Sequence, residues 1–471
     1  MSENKVRPID STAKLGQGAG IVWVLYAMSM QFNTTVTMSY LMFFVTEYTG
    51  INATIMTAVI TTARFVDFGV SIAAGPILNR VTRFTPWVIG CPLITGLGVC
   101  ITFTNFALPQ TPKLIILVIG YCMTHFPMNF LTVSANGFMM KVAGSNPENR
   151  LFIATRRNQG TSVSGVFMSL LTLPTIEFFM ARGMQGYQIT VFLFWIVCVA
   201  GAAMLLYLFR DYEPKVAKVN LPVAERPKQV SVFRMFGSAI QNKAIMTLLI
   251  CETIVTVGGQ VLQSGTTYFY TYSCGNLGWM VQAGTIGSMV GIAASLLVPP
   301  VARKIGKRNS RLTLYVMGLV LYGAAMFTVN GNAVLFIVLS SVLRLGTALS
   351  GTWGINLYLD AAEVELYETG EDKRPFIMAI NNFPIKIGFI ASGPFIAFML
   401  NNSGYSVVEG VGSMPDPAQY VRWWMGVPTF AYLLAVIIFI LGYKVSEEKA
   451  AEAAAANAKA AKERAAAAAT G

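Results

Sequence analysis

Charged side chains are scarce in this sequence. Asp, Glu, Lys and Arg make up 12% of its 471 residues, whereas hydrophobic residues make up 54%. A soluble domain of this length needs more charge to cover its surface. The composition therefore excludes an ordinary soluble globular protein and predicts a chain embedded in a membrane.

Residues that bind metals or act as nucleophiles are also few. His125 is the single histidine, and six cysteines are scattered without the spacing of a metal site or a disulfide framework. We therefore expect no metal and no cofactor, and an integral-membrane enzyme such as a lipid transferase is disfavoured. A non-transporting sensor is disfavoured too, because the Ala-rich tail is not a signalling domain.

Apolar runs long enough to cross a membrane, about 20 residues each, recur from end to end. They predict an all-α integral membrane protein with twelve transmembrane helices, at residues 20–46, 52–78, 86–107, 113–140, 156–181, 187–209, 244–270, 277–301, 312–330, 333–358, 376–401 and 422–443. Residues 1–15 are polar, and we expect no cleavable signal peptide before the first span.

The basic residues are distributed unevenly between the loops. Only Lys113, Arg182 and Arg422 fall in loops after odd-numbered spans, whereas most others lie in the terminal segments and after even-numbered spans. By the positive-inside rule, both termini are cytoplasmic in a multi-pass protein of the cell inner membrane. The net charge of +12 thus indicates orientation and not a nucleic-acid partner.

A proline-containing polar linker separates two sets of six spans. Similar basic turns follow the second and eighth spans, at 75–83 and 300–308, as in duplicated transporters. The expected domains are a cytoplasmic segment, a six-helix bundle, a cytoplasmic linker, a second bundle and an Ala-rich cytoplasmic tail: 1–19, 20–209, 210–243, 244–446 and 447–471. We expect the tail to be helical or disordered and solvated.

The second span carries charge. Arg64, Asp67 and Ser71 fall on one stripe of a helix. A charged side chain in hydrocarbon costs about 2.5–3.5 kcal/mol even on insertion scales, so it faces a partner or a water-filled cavity. Asp67 is therefore a candidate transport residue. The alternative is that Asp67 is permanently paired with Arg64 or Lys386 and holds the helices together.

Several motifs resemble one transporter family. The chain resembles the glycoside–pentoside–hexuronide:cation symporters of the major facilitator superfamily. In its first half the matching motifs are Arg64-x-x-Asp67, Gly75-Pro76 and Pro86-Trp87, and the second half matches more strongly. The stronger matches are Leu345-Gly346-Thr347-Ala348-Leu349, Asp360, Glu363, Glu365, Tyr367 and Lys386-Ile387-Gly388. The resemblance runs from about Tyr26 to Tyr443. It implies a major facilitator fold of two pseudo-symmetric six-helix bundles around a midplane cavity, and a transporter in place of an enzyme.

The resemblance also indicates a cation site, but several residues of this chain differ from those that the family usually has there. The family's second helix usually offers two carboxylates, but here Ser71 follows Asp67 where the second is expected, and Phe126 replaces a threonine of helix four. Na⁺ prefers several oxygen ligands, whereas a lone buried carboxylate can take a proton. We therefore expect H⁺ and not Na⁺ as the coupling ion. The expected coupling residues are Asp67, Arg64, Ser71 and Lys386.

The positions that bind sugar in the family have also changed. Its aspartates of helices one and four align with Gln31 and Asn129, whose amides bind hydroxyls without supplying charge. Arg344 replaces a small polar residue, so the cavity becomes more positive and favours an anionic solute such as a uronide or another organic acid. Alternatively, Arg344 bonds backbone carbonyls or pairs with Glu252. The expected solute-binding residues are Gln31, Asn129, Arg156, Arg157, His125, Arg344, Lys386, Trp353, Gln260 and Gln263.

Each of these polar residues has a structural alternative, because hydrogen bonds between membrane helices are common and worth about 0.6 kcal/mol. The resemblance further implies an inner gate in which acidic residues after the tenth span pair with basic ones; a solvated acidic loop is the alternative. The residues of this gate are Asp360, Glu363, Glu365, Arg150 and Arg308.

The sequence therefore predicts a monomeric secondary transporter. It would import a glycoside or uronide by proton-coupled alternating access, with the small solute and membrane lipid as its partners and no nucleic acid. The alternative is an uncoupled facilitator or exporter of organic anions on the same fold. Flux measured with and without an imposed proton gradient separates the two.

The charge of the solute provides a first test. A glucuronide should inhibit uptake of labelled substrate more strongly than the matching glucoside, because Arg157 offers a planar fork that suits a carboxylate. Arg157→Lys should remove most of this preference, since lysine keeps the charge without the bidentate geometry. Equal inhibition by both sugars would mean that the basic residues are neutralised within the protein.

Overall fold

A computed structural model describes residues 14–78, 83–143, 147–212, 242–353, 356–369, 383–408 and 411–470. Its helices are α1 (Gln17–Tyr48), α2 (Ala53–Leu78), α3 (Thr85–Thr102), α4 (Gln110–Ala143), α5 (Pro147–Met180), α6 (Gly186–Leu208), α7 (Lys243–Tyr268), α8 (Trp279–Ile305), α9 (Lys307–Thr328), α10 (Ala333–Gly351), α11 (Asn356–Thr369), α12 (Phe383–Asn402), α13 (Pro417–Gly442) and α14 (Glu447–Thr470). A 3₁₀ turn (Arg210–Tyr212) follows α6, and a π turn (Phe269–Ser273) follows α7. Strands β1 (Ser406–Val408) and β2 (Val411–Ser413) pair antiparallel.

The prediction of an all-α membrane protein is confirmed. Among the described residues, ten helices are long and apolar enough to cross a membrane, and the bent α8 makes eleven. The first predicted span coincides with α1, a helix of 32 residues that carries Asn33, Thr34 and Thr35 near its middle. Such groups bond within the helix, as Thr37 Oγ1 does by donating to the Asn33 carbonyl over 2.8 Å. They lower its apolarity without interrupting it.

Two predicted spans differ from continuous helices. The two parts of α8, Trp279–Ala294 and Leu297–Ile305, are inclined by 57°. The bend falls four residues before Pro299, whose ring collides with a carbonyl of the preceding turn. The tenth predicted span, 333–358, covers α10 and only the first residues of α11. The acidic residues from Asp360 to Glu368 lie on α11, so the alternative of an acidic loop is wrong for them.

Contacts divide the chain into two units. Unit 1 contains the described residues of Met1–Asn220, Thr266–Ser288 and Gly404–Pro415, and unit 2 those of Leu221–Gly265, Met289–Ser403 and Asp416–Gly471. In unit 1, α1 packs on α5 and α6, α3 packs on α4 and α6, and α2 packs on α4. In unit 2, α9 packs on α10 and α13, and α11 packs on α14. The predicted domain boundaries stay a prediction.

The C-terminal tail is docked where the sequence predicted a solvated segment. Ala450 and Ala453 of α14 are buried against Val364 of α11, and Lys449 Nζ lies 2.6 Å from Glu368 Oε1. Alanine allows α14 to approach α11 closely, which a composition argument alone does not capture. The predicted linker residues 213–241, including the surface helix expected near 232–236, lie outside the described residues.

Close helix contact in unit 1 depends on two facing glycines. A methyl group at Gly98 of α3 would lie 2.7 Å from the Gly120 carbonyl oxygen and 2.6 Å from the Thr124 amide nitrogen of α4. Small residues at such crossings let helix backbones approach, which is how membrane helices gain packing energy in the absence of water.

Gly98→Ala should therefore destabilise the protein by about 1–3 kcal/mol, because α3 and α4 must separate. The measurement is the midpoint of thermal unfolding of purified protein in detergent. Gly90→Ala is the matched control on α3, since nothing lies within 4 Å of its added methyl group. Equal losses in the two variants would contradict this account of the α3–α4 contact.

Candidate functional site

The predicted coupling aspartate is buried between α2 and α4. Asp67 is 6% exposed and Asn129 is 8% exposed, and Asn129 Nδ2 donates to Asp67 Oδ1 over 2.6 Å. A buried charge needs such hydrogen bonds. The structure thus joins one predicted coupling residue to one predicted solute-binding residue.

Two further predicted residues lie in the same cluster. Arg64 Nε donates to the hydroxyl of Tyr121 over 2.9 Å. The Tyr121 and His125 rings contact each other with centroids 4.2 Å apart and planes tilted by 40°. Tyr121, His125 and Asn129 follow one another at intervals of four residues, so α4 presents all three on one face toward α2.

The Asn129 amide can serve both charge states of Asp67. It carries a donor and an acceptor, so it can donate to a carboxylate and, after rotation, accept from a carboxylic acid. Ser71, the third member of the predicted coupling set on α2, donates its hydroxyl to the Phe68 carbonyl over 2.8 Å within its own helix. The arrangement is suited to holding and releasing a proton.

The two arginines of α5 lie apart from this cluster. Arg157 Nη1 donates to Asn136 Oδ1 over 2.7 Å, and Asn136 is seven residues, about 10 Å of helix rise, beyond Asn129. Arg156 donates to Gln17 over 2.6 Å and to Gln159 over 3.0 Å. Both arginines therefore contact neutral amides. Their predicted role in solute binding stays a prediction.

Gln31 is half-buried on α1. It lies in unit 1, where α1 packs chiefly on α5 and α6 and makes fewer contacts with α2. Its predicted contact with solute also stays a prediction.

Unit 2 contains an ion pair between two of the helices that could span a membrane. Arg311 of α9 forms a salt bridge through Nη1 with Oε1 of Glu252 on α7, and the Arg311 side chain is 9% exposed while that of Glu252 is 29% exposed. The alternative in which Arg344 pairs with Glu252 is therefore wrong for this structure. The pair lies beside buried Tyr315 and Tyr358, which belong to one core cluster.

The remaining predicted solute residues of unit 2 lie on several helices. Arg344 is exposed on α10, on a stripe with Ser340 and Thr347 that is separated from the exposed apolar stripe of Val334, Val338 and Leu345. This placement fits a side chain that faces water and not lipid.

On α7, Gln260 is half-buried and Gln263 is exposed. Gly388 of α12 approaches Gln260 closely: a methyl group added at Gly388 would lie 3.2 Å from Cγ of Gln260. Lys386, which is half-buried, lies two residues before Gly388 on the same helix. Trp353 instead donates its indole N–H to Ser310 Oγ over 3.2 Å, so its ring is held at the start of α9.

The predicted gate acids have partners within unit 2. Lys307 Nζ lies 2.8 Å from both carboxylate oxygens of Asp360. Glu365 accepts from the Asn242 amide, and Glu363 accepts from Asn457 Nδ2 over 2.8 Å. The side chain of Arg150 lies outside the described residues. The gate role stays a prediction, but α14 contributes a partner that the sequence did not indicate.

Another acidic network joins the end of α1 to the π turn and the hairpin of unit 1. Glu47 accepts from Tyr405 over 2.7 Å and from Tyr272. Burial raises the pKa of the Tyr405 phenol above its ordinary value, and the hydrogen bond with Glu47 adds to the rise. Tyr405 therefore stays protonated and continues to donate at neutral pH.

Sequence reasoning missed Tyr121 and Arg311. Tyr121 lies one turn before His125, so extending the α4 stripe by four residues would have included it. Arg311 was assigned to a loop because the ninth span was expected to begin at 312, whereas α9 begins at Lys307. The stripe of Arg311, Tyr315 and Tyr322 was the available signal.

Comparisons with known proteins agree with the fold. A family model described as MFS/sugar transport protein matches residues 24–447. The chain is 23% identical over 469 residues to an uncharacterized symporter, YnaJ, of Bacillus subtilis, with 95% of each chain covered. It is 22% identical over 386 residues to the lactose permease of Lactobacillus delbrueckii subsp. bulgaricus, with 79% of this chain and 60% of that protein covered.

Solved structures extend the comparison. A POT family transporter in complex with a thioalcohol-conjugated peptide superposes with a TM-score of 0.66 at 13% identity, with 93% of this chain and 100% of that chain covered. A likeness at this identity shows the fold alone.

The hydrogen bond between Asn129 and Asp67 predicts a coupled loss of stability. Asn129→Ala should cost about 1.5–3 kcal/mol, because it removes a bond to a charged group. The loss should be smaller in an Asp67→Asn background, where no carboxylate is left to satisfy. Thermal unfolding of the four proteins in detergent measures this cycle. The same cost in both backgrounds would contradict an energetic link between the two residues.

Proposed function

The chain belongs to the MFS/sugar transport protein family, and from this premise we propose that it carries a glycoside or uronide together with a proton. The resemblance to the glycoside–pentoside–hexuronide symporters is confirmed by the family match and by relatives such as the lactose permease. The chain is accordingly a multi-pass membrane transporter and not an enzyme. Alternating access, proton coupling and orientation with both termini in the cytoplasm are parts of the proposal.

One observation carries the proton assignment. Asp67 is buried, and one of its carboxylate oxygens accepts from the Asn129 amide, where a sodium site would need a further oxygen ligand. Protonation of a buried carboxylate removes a charge that is costly in apolar surroundings. A proton can therefore change the local balance between Asp67, Asn129 and Arg64.

This local change provides the coupling. A ligand shifts a conformational equilibrium only through its different affinity for the two states. Neutral Asp67 attracts Arg64 less than the carboxylate does, which frees Arg64 and Tyr121 to rearrange. Solute and proton then favour the same conformational change, as symport requires.

An uncoupled facilitator or exporter of organic anions is the second candidate. The exposed Arg344 on the polar stripe of α10 favours it, because an arginine that faces water can bind a carboxylate solute. Such a transporter would move its solute at the same rate with or without a proton gradient.

Asp67→Asn should abolish uphill accumulation and leave downhill exchange partly intact, because the amide cannot carry the proton. The assay is uptake into proteoliposomes under an imposed pH gradient, with lactose, methyl β-glucoside and methyl β-glucuronide as candidate solutes. At fixed pH, added Na⁺ should not raise uptake. Asp211→Asn is the matched control, since that aspartate is exposed and pairs only weakly with Arg210.

Two outcomes would contradict the proposal. Continued accumulation by Asp67→Asn would show that coupling occurs elsewhere. Enhancement by Na⁺ that disappears in Asp67→Asn would make Na⁺ the coupling ion.

A further inference from the structure

Glu252 differs from an ordinary buried ion-pair partner. It lies nine residues after Lys243, the start of α7, or about 14 Å along the helix, and its partner Arg311 lies four residues after Lys307, the start of α9. Arg311 is 9% exposed, but Glu252 keeps 29% of its side chain exposed. The carboxylate of the pair is thus partly accessible to solvent, whereas the guanidinium is buried.

The open side of Glu252 does not face lipid. Ile250 is 39% exposed and marks the apolar outer face of α7. Two residues later the helix has turned by about 200°, so Glu252 points away from that face. Thr256, Gln260 and Gln263 extend the same side of the helix, and all are at least partly exposed. Glu252 therefore begins a partly exposed polar stripe on the side of α7 away from Ile250, part of which packs against Gly388 of α12.

The contacts of Glu252 leave one oxygen available. Arg311 occupies Oε1, and within the part of the chain that the structure describes no hydrogen bond is formed by Oε2. The neighbouring titratable groups are Arg311 and Tyr315 on α9, Tyr358 on α11, Tyr432 on α13 and Cys251 on α7 itself. Cys251 directs its thiol to the Ala435 carbonyl at 3.6 Å.

We propose that Glu252 is a solute-binding residue whose open carboxylate oxygen accepts a hydrogen bond from a sugar hydroxyl. The inference rests on the proposed function in that it requires a hydroxyl-bearing solute. Hydrogen bonds to an ionised acceptor are about twice as strong as neutral ones. An ionised Glu252 can supply such a charged acceptor within unit 2.

Arg311 is a positioning residue in this arrangement. Its salt bridge fixes one oxygen of Glu252 and leaves the other available. A uronide can use the same contact, because it also carries hydroxyl groups.

The test is the affinity of purified full-length protein for lactose, methyl β-glucoside and methyl β-glucuronide, measured by calorimetric titration. Glu252→Gln keeps the shape and an acceptor for Arg311 but removes the charge. It should weaken binding of the sugar that the wild type binds most tightly by about 10- to 150-fold. Glu177→Gln, the same change at an exposed glutamate of α5, should leave affinity unchanged.

A second variant distinguishes a loss of sugar binding from a loss of folding stability. Glu252→Gln leaves Arg311 without a counter-charge, which can destabilise a buried pair. The double variant Glu252→Gln/Arg311→Met removes both charges, so it should unfold near the wild-type temperature and show the same loss of sugar affinity.

Three results would overturn the inference. Wild-type affinity in both variants would assign the pair a structural role. Wild-type affinity together with a shifted pH dependence of uptake would make Glu252 a proton site. If the wild-type protein binds none of the three sugars, the proposed solute class fails as well, whereas sugar binding that is insensitive to Glu252 overturns this inference alone.

Discussion

The cost of a charge in apolar surroundings governs this structure. A carboxylate or guanidinium within a membrane-spanning helix must be hydrogen-bonded or paired, because water is not available to solvate it. Asp67 meets this requirement through Asn129 of α4, and Glu252 meets it through Arg311 of α9. In each unit the charge therefore determines which helices must lie side by side.

Helix packing makes these pairs possible. Membrane helices gain little from the hydrophobic effect once inserted, so they associate through close contact of small residues and through polar bonds. The facing Gly98 and Gly120 in unit 1 bring α3 against α4, and α4 presents Tyr121, His125 and Asn129 to α2. Packing of apolar faces and satisfaction of polar groups thus favour the same arrangement, which is the consistency expected of a foldable sequence.

The same requirement provides a means of switching. A permanent pair would hold two helices together, whereas a titratable partner allows the bond to weaken when a proton binds. Asp67 accepts a hydrogen bond from the Asn129 amide, which can bond to either charge state of the carboxyl group. Glu252, held by a buried guanidinium, is the more fixed of the two acids, which suits recognition of a solute better than repeated protonation.

The sequence by itself determined the fold class and the transporter family. Runs of apolar residues predict spans because the hydrocarbon thickness dictates helix length, and the Arg64-x-x-Asp67 motif lies on a helix stripe in any register. Boundaries were less well determined: a shift of a few residues at the start of α9 placed Arg311 in a loop and concealed its pairing with Glu252.

Tertiary structure decided which polar residues meet. Helical periodicity places Asn129 on the polar face of α4 and Asp67 on the polar face of α2. Only the packing of α2 on α4 brings the two side chains within hydrogen-bond distance. The docking of α14 likewise depends on complementary surfaces, since Ala-rich composition fits a solvated helix and a packed one equally well. Periodicity is a property of one helix, whereas a bond between helices depends on their crossing and relative depth, which residues far apart in sequence determine together.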